Sequence, residues 1–237
     1  MLVVTFDVDR KILIIGDLHL GVTGRFGLTN PAPEQEADEI LNDVAGVVTK
    51  MKIDEILVLG DLKHGLYEPT VYESKALRRL TDGLVRYANV WIAKGNHDFG
   101  IEPYLNSRVM MVGGSGLEIN NTLLFHGHSL PRNRESFDGY SCIVSGHIHP
   151  QQLIRGEWNP VWLILKNKSN KNPKKVVVLP HYSKYISGVG YRPGPPITIA
   201  PYLKRLRLDE YRYEFMDLEL NVIKLGDANG VVVLKNE

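Results

Sequence analysis

Five apolar runs in this sequence stop in the same way, beside glycine and among residues that bind metals. Run 12–15 leads into Gly16-Asp17-Leu18-His19, and run 56–59 into Gly60-Asp61-Leu62-Lys63-His64-Gly65. Run 90–93 leads through Lys94 to Gly95-Asn96-His97-Asp98, run 123–125 to His126-Gly127-His128, and run 142–144 through Ser145 to Gly146-His147-Ile148-His149. Imidazole and carboxylate together suit Mn, Fe, Co, Ni or Zn better than Mg or Ca, which prefer oxygen throughout. Asp17, His19, Asp61, Asn96, His126, His147 and His149 exceed what one tetrahedral ion uses, so two ions are the economical expectation. The single cysteine, Cys142, excludes a Cys-based zinc cluster and an internal disulfide framework. Nitrogen and oxygen must hold any metal.

Spacing inside the clusters carries an expectation of its own. Asp17 and His19 lie two apart, as do His147 and His149. In extended chain, residues i and i+2 project from one face, so each pair is expected to reach one target from an extended segment. The adjacent glycines are expected to let the backbone turn tightly just past each strand.

The elements that must deliver these residues alternate between strand and helix in the first half. Runs 3–6 and 11–15 read as an opening hairpin. Intervals of three and four between Ala37, Ile40, Leu41, Val44, Val47, Val48 and Met51 predict a helix over 33–52. A second helix fits 71–87, with Gly83 as its weak point. Strands are expected at 56–59, 90–93, 109–112, 123–125 and 142–144, with a short helix near 134–140. Runs 162–165 and 176–179 read as a hairpin around the five-lysine segment 166–175, an exposed tip. An alternating stretch and two runs, 222–225 and 231–234, around an Asp-Ala-Asn-Gly turn complete the tail. Ligands in open α/β sheets gather beyond the carboxyl ends of strands, where all five clusters fall.

Composition sets the outer bounds. The 237 residues carry 28 basic and 27 acidic side chains, a net charge of +1 that excludes a polycationic nucleic-acid coat or an acidic tail protein. No run approaches the roughly 18 apolar residues of a spanning helix, and no export signal opens the chain, so a cytoplasmic protein without a membrane partner is expected. With no linker and no repeat, one domain over 1–237 is expected. The oligomeric state is left open.

The five motifs, in this order over residues 16–150, resemble the signature of the calcineurin-like metallophosphoesterases. Gly16 to Gly21, Gly60 to His64 and Leu179-Pro180 look most like the small prokaryotic branch that includes DNA-ligase-associated phosphoesterases. The resemblance implies an α/β fold, a four-layer α/β/β/α sandwich of two mixed sheets flanked by helices. It implies one metal on Asp17, His19, Asp61 and His149, and another on Asp61, Asn96, His126 and His147, with Asp61 bridging. Manganese is the first expectation, with Fe, Ni, Co or Zn as alternatives. A hydroxide shared by the two ions would attack phosphorus in line. His97 would serve the leaving-group oxygen and Asp98 would orient its ring.

Further residues stay open. His64 could support the ligands, bind phosphate or be structural. His128 is expected to point toward the site, and His181 to be packed or exposed near its mouth. Arg132 and Arg134 could grip a substrate phosphate or be solvated, and the lysine tip could touch a nucleic-acid backbone or be solvated. Trp91, Trp158 and Trp162 read as packing. The leading function is phosphodiester hydrolysis, with nucleic acid or a nucleotide as substrate. A phosphomonoesterase of the same mechanism and an inactive metal-binding scaffold are the alternatives.

Overall fold

The computed structural model describes residues 1–6, 10–25, 32–131, 137–191, 200–216, 222–223 and 231–233. The opening hairpin forms as expected, β1 (Leu2–Phe6) antiparallel to β2 (Arg10–Ile15). A four-residue helix α1 (Val22–Arg25) and the long α2 (Pro33–Met51) follow, then β3 (Glu55–Val58), α3 (Val71–Tyr87), β4 (Asn89–Ala93) and β5 (Met110–Val112). The rest is β-rich: β6 (Leu117–Ile119), β7 (Thr122–Phe125), β8 (Cys142–Ser145), β9 (Pro150–Ile154), β10 (Glu157–Pro160) and β11 (Trp162–Asn167). After these come β12 (Lys175–Val178), β13 (Val189–Tyr191), β14 (Tyr211–Met216), β15 (Val222–Ile223) and β16 (Val231–Val233).

Two mixed sheets form the body. One runs β15-β16-β1-β2-β3-β4-β5, the other β14-β11-β12-β8-β7-β6. Alternate residues of each strand enter different cores. Leu13, Ile15, Ile56, Val58, Val90 and Ile92 face α2 and α3, while Ile12, Ile14, Leu57 and Leu59 face the second sheet. There they meet Leu124, Val144, Trp162, Ile164 and Val177. Burial on both faces is why these strands read as continuous apolar runs rather than alternating ones.

Between the two helices lies Gly83, where a Cβ would stand 2.4 Å from Leu41 Cδ2. The glycine therefore marks close helix packing, and α3 runs unbroken through it. Thr70 and Glu73 cap α3 reciprocally, Glu73 N–H to Thr70 Oγ1 at 3.2 Å and Thr70 N–H to Glu73 Oε2 at 2.9 Å.

The outer face of the second sheet is covered by Phe137, Tyr140, Ala200, Tyr202, Leu203 and Leu206. Among the described residues this layer contains 3-10 turns, Leu203–Arg205 and Leu208–Glu210, and no long helix. Residues 137–140 of the expected helix near 134–140 form a turn, and 134–136 lie outside the described residues. A third small sheet, β10-β9-β13, was not legible in the sequence. The Asp-Ala-Asn-Gly turn of the tail also lies outside the described residues.

Strands β2, β3 and β4 are parallel, as are β7, β8 and β12, so the carboxyl ends of each set lie together. The lysine-bearing connection between β11 and β12 enters β12 at its amino end, opposite the five motifs. No described helix is long and apolar enough to cross a membrane.

Candidate metal centre

The strand ends bend by an uncommon means. Asp17, His19, Asp61, His147 and His149 have φ of 55°, 49°, 52°, 70° and 49°, all left-handed. For a residue with a Cβ this costs roughly 1–2 kcal/mol, tolerated where the surroundings over-determine it. The expectation of extended pairs is thus corrected. Each pair is two left-handed residues flanking a buried apolar one, Leu18 or Ile148; Asp17 and His19 converge on one donor group, whereas His147 and His149 go to different ones. Backbone bonds hold the turns: Asp17 N–H donates to Gly60 O at 3.1 Å and His19 N–H to Asp61 O at 2.9 Å.

The glycines divide: Gly60 and Gly127 turn with φ of 74° and 106°, as expected, while others act differently. Gly95 and Gly146 have no positive φ; they make room. A Cβ on Gly95 would lie 2.2 Å from Asp61 Oδ1, and one on Gly146 2.5 Å from Asp17 Oδ2.

The seven expected donors come together from all five motifs. His149 Nε2 is 3.0 Å from Asp17 Oδ1 and 3.4 Å from His19 Nε2, which is 3.6 Å from Asp61 Oδ2. On the other side of Asp61 Oδ2, His126 Nε2 stands at 3.3 Å, and 3.2 Å from Asn96 Oδ1. Asp17, His19 and His149 form one compact donor group and Asp61, His126 and His147 a second. Asp61 lies between them.

The donor set fits divalent cations of the first transition row. His126 Nδ1 lies 2.7 Å from the Leu59 carbonyl, which can only accept, so the N–H is there and a neutral ring bares Nε2. That bare nitrogen faces the Asn96 and Asp61 oxygens. Three acceptors pointed at one another are stable only with a cation or proton among them. Protonation follows the same logic. Burial opposes charge on His126, but the Asp61 carboxylate outweighs it and pushes the ring up to about 9. Burial would raise Asp17 and Asp61 too, yet His149 beside the first and His126 beside the second hold both below the usual carboxylate range. Burial pulls His19 down to about 3 and His147 down to about 4.

His97 stands beside this group, held at three atoms. Its N–H donates to Asp61 Oδ1 at 2.9 Å, and its Nδ1 to the His64 carbonyl at 2.5 Å. Its own carbonyl accepts from Lys63 Nζ at 2.6 Å. Nε2 lies 3.9 Å from Asp61 Oδ2. Asp98 does not orient this ring, which corrects the sequence expectation. Its buried carboxylate accepts from the Asp61, Leu62 and Gly95 N–H groups, each at 2.8 Å. With its acceptor sites committed there, ring orientation passes to the His64 carbonyl.

The remaining candidates divide. The His64 ring nitrogen Nδ1 is 3.3 Å from His19 Nδ1, so His64 touches a candidate ligand from behind. His128 packs against His126 with ring centroids 5.3 Å apart, and its buried Nδ1 has no partner among the described residues. His181 is buried with its ring 5.4 Å from that of His149, its Nδ1 donating to Ser183 O and its Nε2 facing Gln151. Arg132 and Arg134 lie outside the described residues. Trp162 is fully buried, and Trp158, 45% exposed, lays its ring against Gly190, where a Cβ would stand 2.5 Å from Cη2.

Two buried residues escaped the sequence reading. Lys63 is fully buried beside His97. Glu36 accepts from Gly21 N–H at 2.7 Å and Thr23 Oγ1 at 2.9 Å, anchoring the chain just after the first motif. Lys63 lies within the second motif itself, Gly60 to Gly65, which was its available signal; Glu36 sits on a helix and had none.

A model of the calcineurin-like phosphoesterase family matches residues 10–213. Among solved structures, the nuclease MPE of Pseudomonas putida superposes with a TM-score of 0.55 at 17% identity, over 77% of this chain and 80% of that one. The phosphoesterase YfcE of E. coli has a TM-score of 0.41 at 16% identity, over 94% and 98%.

Proposed function

The chain belongs to the calcineurin-like phosphoesterase family, and from that premise we propose that it hydrolyses a phosphodiester at a pair of divalent cations. Asp17, His19, Asp61 and His149 would hold one ion, and Asp61, Asn96, His126 and His147 the other. Ions bound there supply Lewis acidity toward phosphoryl oxygens and a water acidified toward neutral pH. The chain's own residues do the positioning. The Leu59 carbonyl fixes the His126 tautomer, and the His147 N–H, 3.1 Å from both Asp17 oxygens, steadies that carboxylate. His97, with Nδ1 committed to the His64 carbonyl, keeps Nε2 for the leaving-group oxygen, to which it delivers a proton or positive charge.

One observation carries the reading. Asp61 Oδ2 has His19 Nε2 at 3.6 Å on one side and His126 Nε2 at 3.3 Å on the other, a carboxylate placed to serve two donor groups. A phosphodiester is preferred to a monoester because of the branch resemblance of motifs 16–21 and 60–64. The Pseudomonas putida nuclease shares the fold, and DNA is accordingly the first polymer to assay.

The test strips the protein of metal, restores Mn, Ni, Zn or Mg singly, and compares bis(p-nitrophenyl) phosphate with p-nitrophenyl phosphate and with single- and double-stranded DNA. Metal-dependent diester cleavage, strongest with Mn and lost in Asp61→Asn, is expected. Preference for the monoester would make the chain a phosphomonoesterase. Two bound ions with neither ester cleaved would leave a metal-binding scaffold.

A further inference from the structure

Resting on the reading of His97 as the leaving-group residue, we propose that Lys63 is its positioning residue. Its side chain is fully buried, unusual for lysine unless every donor is used. All three are. Nζ donates to the carbonyls of Gly65 at 2.5 Å, Tyr67 at 2.7 Å and His97 at 2.6 Å. One ammonium thus ties the loop after the second motif to the turn of the third.

Asp98 does the same with opposite charge, gathering the N–H groups of Asp61, Leu62 and Gly95 from the same two segments. The anion collects donors and the cation collects acceptors. Between them lies His97, whose ring orientation depends on where the His64 carbonyl stands. Lys63 precedes His64 in the chain and binds Gly65 just after it, so it sets that carbonyl as well as the His97 backbone. Without the ammonium, three carbonyls lose their donor and the imidazole loses the frame that aims Nε2. Nζ donates to no metal-binding side chain, and Asp61, which accepts the His97 N–H, stays anchored through its own N–H to Asp98.

A positioning role has a signature that loosened structure lacks. A misaimed His97 matters most for a poor alkoxide leaving group, which needs a proton, and far less for p-nitrophenolate, which departs without one. Mn-loaded Lys63→Met is expected to lose about 100-fold in turnover on a dinucleotide and little on bis(p-nitrophenyl) phosphate, with metal content unchanged. His97→Ala should show the same split, and the double variant should be no slower than His97→Ala alone. Equal loss on both substrates, or losses that multiply in the double variant, would overturn the proposal. Should Lys63→Met not fold, Lys63→Gln, one bond shorter and with two N–H donors for three carbonyls, is compared by the imidazole nitrogen NMR resonances of His97. Shifted resonances support the role, and unchanged ones overturn it. A wild-type protein that cleaves neither ester refutes the functional reading instead, and the resonance comparison still decides the part played by Lys63.

Discussion

At the scale of single residues, the centre is built from side chains in conformations they ordinarily avoid. Five of the seven candidate donors are left-handed; backbone pairing across motifs holds Asp17 and His19, and the room Gly95 leaves serves Asp61. Gly95 is a clear case, because Asp61 Oδ1 and the Asp61 N–H occupy the space a methyl would need. Neither can yield, since His97 and Asp98 hold them. Gly95→Ala is therefore expected to weaken metal affinity by about 10- to 100-fold, the range for disturbing a ligand's support, with little change in far-UV circular dichroism. Wild-type affinity in a competition titration with a chelating dye would refute it.

At the scale of elements, the helices do more than cover a sheet. The amino end of α3 presents Glu73, which completes the Thr70 capping box and also accepts the Gly65 N–H at 3.0 Å. The loop carrying Lys63 and His64 is thereby anchored to a helix terminus, while Glu36 of α2 anchors the chain beyond the first motif. Truncation by Glu73→Ala leaves the part-buried Gly65 and Thr70 N–H groups without their acceptor and should cost about 1–2 kcal/mol, read from the urea midpoint. Glu73→Gln, which keeps an acceptor oxygen, should recover part of that. A Glu73→Ala protein within about 0.5 kcal/mol of wild type would show the anchor to be dispensable.

For the whole molecule, packing charged and neutral histidines together links stability to pH. His19 and His147, pulled to about 3 and about 4 from 6.5, are buried neutral and take up protons on unfolding in acid. Their contribution is full above 6.5 and is lost as pH falls. His126, held at about 9, contributes fully below 6.5 and loses that contribution as pH rises through about 9. Metal-stripped protein is expected to be most stable near pH 6.5, its urea midpoint falling on both sides. Saturating Mn, replacing the His126 proton, should flatten the alkaline limb. A midpoint that climbs steadily to about pH 9 without metal would contradict this assignment.

Much of this protein was legible before its fold. Motif order named the candidate donors, and apolar runs located β2, β3, β4, β7 and β8, because strands buried on both faces must be apolar throughout. Helix α3 could be bounded at Val71 and Tyr87 because its periodicity and its cap are local properties. The small sheet of β9, β10 and β13 was not visible, since Gln151, Glu157 and Asn159 carry no apolar period. Nor could spacing tell an extended pair from two left-handed residues, as both bring i and i+2 to one side. The partners of Asp98 and Lys63 were likewise beyond reach. A buried charge is satisfied by backbone groups that every residue possesses, so residue types cannot reveal which carbonyls surround an ammonium. The sequence alone determined which atoms could bind a metal and roughly where the strands end. Only the tertiary structure decided which atoms face one another, because that depends on backbone torsions and hydrogen bonds between segments far apart in the chain.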